Sequence, residues 1–187
     1  MAAVSGTGIS LSSNYYLRNF YVSNRDASSS SKRKEMSTGT LSKADASALH
    51  RAVKKLRNFD FSDDTSDGAN IYGSVSAFVE TYNNALTSSN SSSDSSLARY
   101  AKYLKNLSKE YSSQLKDVGI TVNSDGSLSA NENLLKSADV SDIKKLFSND
   151  AEYNTKISRY AKRMAEKADN LIYTEQTGAG SHINISI

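Results

Sequence analysis

Asn123, Asp125, Gly126 and Glu132 stand at the third, fifth, sixth and twelfth places of a window that opens on Thr121. In a calcium loop those places bring side-chain oxygens onto a hard cation, and a glycine makes the sharp turn between them. The first place normally carries a carboxylate. Here it is Thr121, so Asp125 and Glu132 are the only charged ligands the window offers, and two carboxylates neutralise a divalent cation poorly. The flanks carry a different signal. "GITV" and "SLSA" alternate apolar and polar residues about "NSDG", the pattern of a β-hairpin with Asp-Gly at its turn. An EF-hand needs a helix running straight into its loop, and Gly119, Ile120, Thr121 and Val122 oppose one. The stretch reads as a hairpin near 119–130 with Asn123, Asp125 and Gly126 in the turn, and no metal site is expected.

Other chemistry is poorly supplied. The chain has no Cys and only two His, His50 and His182, which excludes thiolate sites and disulfides and argues against histidine-based zinc or triad chemistry. Serines are abundant, but none has a plausible general base. His50 lies among Arg51, Lys54 and Lys55 without a carboxylate or second histidine at ligand spacing, and reads as a surface residue. No catalytic residue and no cofactor site is expected, and the chain is read as a non-enzyme.

The elements that hold these residues follow from composition and periodicity. Of the 187 residues 37% are hydrophobic, below the usual globular share, and Pro is absent and Gly sparse. Without the common helix breakers, long helices joined by polar turns are expected. No segment approaches the apolar length of a membrane span, and the N-terminus lacks the charged and apolar regions of a Sec-type leader. Residues 1–40 are Ser-rich and aperiodic, and are expected to be weakly ordered on their own. Their cluster Tyr15, Tyr16, Leu17, Phe20, Tyr21 and Val22 either waits for a partner or packs back on the domain.

A helical domain is expected over 41–174. Its first helix, "LSKADASALHRAVKKL", is expected to be capped by Ser42 with Asp45 at the third helical position. A second helix carries Ile71, Val75, Phe78, Val79, Tyr82 and Leu86, and "TSSNSSSDSS" after it reads as a flexible exposed linker. A third repeats Leu97, Ala101, Leu104, Ser108, Tyr111, Leu115 and Val118 in alternating steps of four and three, a seam of the coiled-coil kind. After two short helical pieces, a last helix from about Asp150 to Tyr173 repeats that rhythm through Ile157, Ala161, Met164, Ala168 and Leu171. The two seams are expected to pair antiparallel, Leu97, Leu104, Tyr111 and Leu115 against Ile157, Met164 and Leu171. The tail 175–187 alternates His182, Ile183, Asn184, Ile185, Ser186 and Ile187, as an edge strand or a segment that orders on assembly does. The fold class is therefore mainly α: an elongated antiparallel bundle or short coiled coil with a small hairpin insertion and weakly ordered termini.

Charge is uneven. Lys32, Arg33, Lys34, Lys43, Arg51, Lys54, Lys55 and Arg57 make a basic third, followed by Asp60, Asp63, Asp64 and Asp67. Such a split suggests pairing within or between chains as readily as nucleic acid, and the segment lacks the interleaved aromatics of a nucleic-acid surface. The tyrosines of the two long helices, Tyr100, Tyr103, Tyr111, Tyr153, Tyr160 and Tyr173, read as packing at the seam margin.

Taken in order, "VSAFVETYNNAL", the seam helix, "QLKDVGITVNSDGSLSANENLLKSA", "DIKKLFSND" and a final helix resemble the C-terminal region of the flagellar filament-capping, or hook-associated protein 2, family. The likeness runs over Ser74 to Asn149 and on to about Tyr173, and the "GIT", "DGSLS", "LL" and "LF" spacing is its most specific part. Family members are much longer and carry β-rich middle domains, so this chain resembles a short, reduced, mainly helical relative. The resemblance implies a structural, non-enzymatic role, export through the flagellar type III route without a cleaved leader, and terminal segments that order when subunits meet. It implies self-association and, as partners, flagellar axial proteins or an export chaperone, at the flagellum or outside the cell. The alternative from another class is a cytoplasmic nucleic-acid or adaptor-binding helical module that uses the basic segment 32–57.

Overall fold

The structure is a computed structural model that describes residues 15–61 and 68–177. Expectations placed on residues 1–14, on Asp63, Asp64 and Asp67, and on the tail beyond residue 177 lie outside the described residues.

The fold is mainly α with one small antiparallel hairpin. Its elements are α1 (Thr38–Arg57), α2 (Gly68–Asn90), α3 (Ser95–Glu110), α4 (Ser112–Asp117), β1 (Ile120–Val122), β2 (Leu128–Ala130), α5 (Glu132–Ser137), α6 (Val140–Phe147) and α7 (Glu152–Thr177). Ahead of α1 come a helical stretch over 15–20, a 3-10 turn over Arg25–Ser28 and a single helical turn over Ser30–Arg33.

Four of these helices close into a ring of contacts, α1 on α2, α2 on α3, α3 on α7 and α7 back on α1. Their directions alternate. His50 of α1 meets Ser158 of α7, and Ser37, just ahead of α1, meets Glu175 near the end of α7. Ser42 near the start of α1 meets Ser88 near the end of α2. Tyr111 at the end of α3 meets Tyr153 at the start of α7, while Tyr100 and Tyr103 meet Tyr160 further along it. This is an up-down-up-down four-helix bundle, with the hairpin and α4 to α6 inserted between its third and fourth helices.

The partner of α7 differs in emphasis from the sequence expectation. α7 does run antiparallel beside α3, but its longest contact is with α1. The Ala-rich run "ADASALHRAV" of α1 buries Ala44, Ala46, Ala48, Leu49, Ala52 and Val53, and small side chains let α2, α7 and the N-terminal segment all approach one helix closely.

Three boundaries are corrected. The first helix begins at Thr38, and Ser37 is its cap, its hydroxyl oxygen accepting from the Thr40 N–H at 3.3 Å. Ser42 is buried within the helix and donates to the Ser88 carbonyl at 3.2 Å. The stretch expected to be a linker is largely helix. α2 runs on to Asn90 with Ser88 and Ser89 buried, and Asp94 caps α3 by accepting from Ser96 N–H at 2.7 Å and Leu97 N–H at 3.1 Å. At the other end α7 continues past residue 174 to Thr177.

Residues 15–40 pack back on the bundle, the second of the two outcomes expected for their apolar cluster. Leu17, Phe20, Tyr21 and Ala27 are buried in the common core, while Tyr15 and Val22 of the same cluster stay exposed. Four side chains at roughly 1.5–3 kcal/mol per large one provide enough burial to hold a Ser-rich segment.

Candidate functional site

The hairpin has the turn its sequence demands. Ile120, Thr121 and Val122 pair with Ala130, Ser129 and Leu128. The Asn123 carbonyl accepts from Gly126 N–H at 2.9 Å, and Asn123 N–H donates to the Ser127 carbonyl at 2.8 Å. Between these bonds Gly126 takes a φ of 84°, giving a type I turn closed by a left-handed glycine bulge. Asp125 folds back on the turn, accepting from the Ser127 N–H and hydroxyl at 2.9 and 2.7 Å. The Ser127 hydroxyl bond, more than any other contact, holds its carboxyl below the usual range. Glu132 pairs with Lys136 at 2.7 Å on α5. The two carboxylates of the calcium-like pattern thus have separate structural partners, and among the described residues no group of three or more His, Cys, Asp or Glu could hold a metal ion.

What fixes the hairpin to the bundle is the adjacent pair Tyr82 and Asn83 on α2. The Asn83 amide donates to the Leu128 carbonyl at 2.7 Å and its oxygen accepts from the Leu128 N–H at 2.8 Å. A helix side chain therefore occupies the place a third strand would take. Tyr82, whose hydroxyl is pushed up by burial, donates to the Gly126 carbonyl at 3.3 Å. Gly126 is also pressed by α3, for a Cβ there would lie 2.6 Å from Cγ of Lys105. Ile120 and Leu128 are buried and Val122 half-buried.

Asn84 points the other way, into a buried cluster that fastens the N-terminal segment. Its amide donates to the Tyr21 hydroxyl at 3.1 Å, and that hydroxyl donates to Asp45 Oδ1 at 2.6 Å. Arg33 grips the same carboxylate with both ends of its fork, at 2.7 and 2.8 Å, and reaches the Ala27 carbonyl at 2.7 Å. Asp45 is fully buried, with the Arg33 side chain 16% exposed. Burial, followed by the neighbouring Asp45 charge, pushes the Tyr21 hydroxyl well up, so it remains a donor. Burial pulls the Arg33 guanidinium down, and its bonds to Asp45 more than reverse that.

The predicted seam residues fall into two groups. Leu97, Leu104 and Leu115 on one side and Ile157 and Met164 on the other are fully buried. Tyr111 and Leu171 sit at the margin, half-exposed. Tyr111 donates to Glu152 Oε2 at 3.1 Å, while Tyr153 is buried against Phe78 and Phe147 with its hydroxyl 3.1 Å from that of Ser108. Tyr103 is exposed beside Tyr160.

Much of the basic segment is engaged inside the molecule. Lys32 pairs with Asp26, Arg33 with Asp45, and Lys43 with Asp169. Arg51 donates to the Phe20 carbonyl at 2.9 Å and to the Ser23 hydroxyl. His50 is half-buried rather than a free surface residue, its Nδ1 lying 3.2 Å from the Ser158 carbonyl and 3.1 Å from the Ser158 hydroxyl. Lys54 and Lys55 remain exposed.

Sequence reasoning gave Asp45 only a capping role and passed over Asn83 and Glu175. Asp45 had a signal, because it stands on one stripe with Leu49, Ala52 and Leu56, and a carboxylate on an apolar stripe needs a buried partner. Asn83 had none beyond its place beside a tyrosine. Glu175, counted with the tail, accepts from Gly39 N–H at 3.2 Å and from the Ser37 hydroxyl at 2.9 Å, placing a carboxylate at the positive end of α1. Among the described residues no helix is long and apolar enough to cross a membrane. Comparisons with protein families, curated proteins and solved structures found no match to the chain.

Proposed function

We propose that this chain is a non-enzymatic structural or assembly protein of the filament-capping type that its sequence resembles, acting through helix-helix contacts and the ordering of terminal segments. The observation that carries this reading is the bond pair between Asn83 and Leu128. It joins the two most distinctive pieces of the resemblance, the Tyr-Asn helix and the Asp-Gly hairpin, into one unit. Most conspicuous polar groups of that unit serve to hold backbone, which suits a scaffold. Ordering further segments only on contact with a partner would cost entropy at assembly and keep the free subunit from aggregating prematurely.

The test is light scattering of the full chain across a concentration series, beside a variant lacking residues 1–14 and residues 178–187. Concentration-dependent growth of the full chain, lost in the shortened one while its helical circular dichroism persists, is the expected result. A strictly monomeric full chain at all concentrations, and no binding to flagellar axial subunits, would end this reading. Salt-sensitive binding to duplex DNA that disappears when Lys54, Lys55 and Arg57 are replaced would favour the rival module.

A further inference from the structure

A cleft of about 480 Å³ lies between the helical stretch 15–20 and the turns that follow it, lined by Leu17, Arg18, Arg25, Asp26, Ser28, Ser29 and Lys32. Three of the lining residues are cations and one is a carboxylate. That carboxylate, Asp26, is bound by Lys32 at 2.6 Å, and neither Arg18 nor Arg25 makes an ion pair among the described residues. The lining of the cleft therefore carries a net charge of +2, with two guanidinium groups outside any ion pair among the described residues. The cleft gathers these cations at seven-residue spacing, Arg18 from the helical stretch and Arg25 and Lys32 from the turns that follow it.

Both segments are anchored. Leu17, next to Arg18, is 3% exposed. Arg33, next to Lys32, is held by the buried Asp45, and the turn between them is fixed by the Ser28 hydroxyl on the Arg25 carbonyl at 2.7 Å and by Arg33 on the Ala27 carbonyl. The cations are thus presented from a fixed frame, with the Ser29 hydroxyl among them. Guanidinium forks match the oxygen geometry of tetrahedral oxyanions, binding them through paired, charge-assisted hydrogen bonds.

We propose that this cleft binds a tetrahedral oxyanion, a phosphoryl or sulfuryl group, through Arg18 and Arg25 with Lys32 and Ser29 in support. The group would bridge the 15–20 stretch to the 25–33 turns and so tighten the N-terminal segment against the bundle. The site does not depend on the assembly reading.

The probe is inorganic phosphate, titrated into the full chain by calorimetry and by amide chemical-shift mapping, against sodium chloride at matched ionic strength. Saturable binding is expected, with shifts confined to residues 17–33 and a raised Tm in phosphate over chloride. The double variant R18Q/R25Q is expected to bind roughly tenfold or more weakly, the share of one charge-assisted hydrogen bond or more, and K54Q/K55Q to bind as the unaltered chain does. Because R18Q/R25Q could loosen the segment, the shift map of the unaltered chain is read independently. Tighter binding of either a phosphoserine peptide or a sulfated oligosaccharide would support the site and identify its source. Equal responses to phosphate and chloride, shifts centred on Lys54 and Lys55, or an equal response to a polyglutamate chain would overturn it, as would displacement of phosphate by duplex DNA with no effect of R18Q/R25Q.

Discussion

Asn83 and Leu128 exchange two hydrogen bonds, the side-chain amide of one serving both backbone polar groups of the other at 2.7 and 2.8 Å. An isolated two-stranded hairpin is marginal in water, so its fixed position depends on such a dock together with the burial of Ile120 and Leu128. Replacing Asn83 with Leu leaves a partly buried N–H and carbonyl without partners, at a cost of about 1–3 kcal/mol. Asn83→Asp keeps the acceptor for the Leu128 N–H but sets a carboxylate oxygen against its carbonyl, so it is expected to be no better. Hydrogen exchange at the Leu128 amide is the direct readout. Protection there should fall in both variants while amides in the middle of α1 keep theirs.

The cluster about Asp45 makes a second, stronger prediction. Removing one partner of a buried ion pair leaves an uncompensated charge and costs about 3–5 kcal/mol. Arg33→Ala is therefore expected to destabilise the chain by that order in urea unfolding, and to expose Leu17, Phe20 and Tyr21 to proteolysis or dye. A paired replacement, Arg33→Met with Asp45→Leu, removes both charges together and should recover most of the loss. Equal destabilisation by the single and paired variants would show that the charges do not act as a pair.

These two docks also mark where the sequence was readable. The three-four rhythm of Leu97, Leu104, Ile157 and Met164 identified buried faces because periodicity records one helix's burial, whatever covers it. It could not tell which helix covers which face, and α7 shares its longest contact with α1, not with α3. The Asp-Gly turn was legible because positive φ at Gly126 is a local demand. The cap was misplaced because Ser42 and Asp45 were read as a local pair, whereas Ser37 caps the helix and Glu175, distant in sequence, reaches the Ser37 hydroxyl and Gly39 N–H. At Gly39 a Cβ would meet Glu175 Oε2 at 2.8 Å and Ile172 at 3.0 Å. Its bare α-carbon leaves room for the Glu175 carboxylate that accepts from its N–H.

His50 gives the fold a pH dependence with a definite sign. Its imidazole is held below the ordinary histidine value by burial first, opposed by the Ser158 carbonyl and reinforced by Lys54, Lys162 and Arg51. A lowered value means the unfolded chain takes up a proton before the folded chain does. Its contribution is therefore intact above the unfolded value of about 6.5 and declines as pH falls from there towards the folded value. Urea midpoints measured downward from pH 7.5 should drop through that window, and His50→Gln should flatten the drop. An identical slope in the variant would assign it elsewhere.

Leu104 and Tyr103 offer the sharpest test of the bundle, because neighbours in one helix are turned about 100° from each other. Leu104 is fully buried against the core, and Tyr103 is 41% exposed. Leu104→Ala deletes buried methyl groups and leaves a cavity, costing about 2–5 kcal/mol. Leu104→Asp adds an unpaired charge in the same space, and is expected to abolish cooperative unfolding and most helical circular dichroism. Tyr103→Asp gives up ring contacts with Tyr100 and Tyr160, worth about 0.5–1.5 kcal/mol each, but its charge stays within reach of solvent, so it is expected to cost far less than Leu104→Asp. The register of α3 is therefore read from the contrast between adjacent positions. If Tyr103→Asp proved as damaging as Leu104→Asp, the helix would be turned in solution so that Tyr103, not Leu104, faced the core.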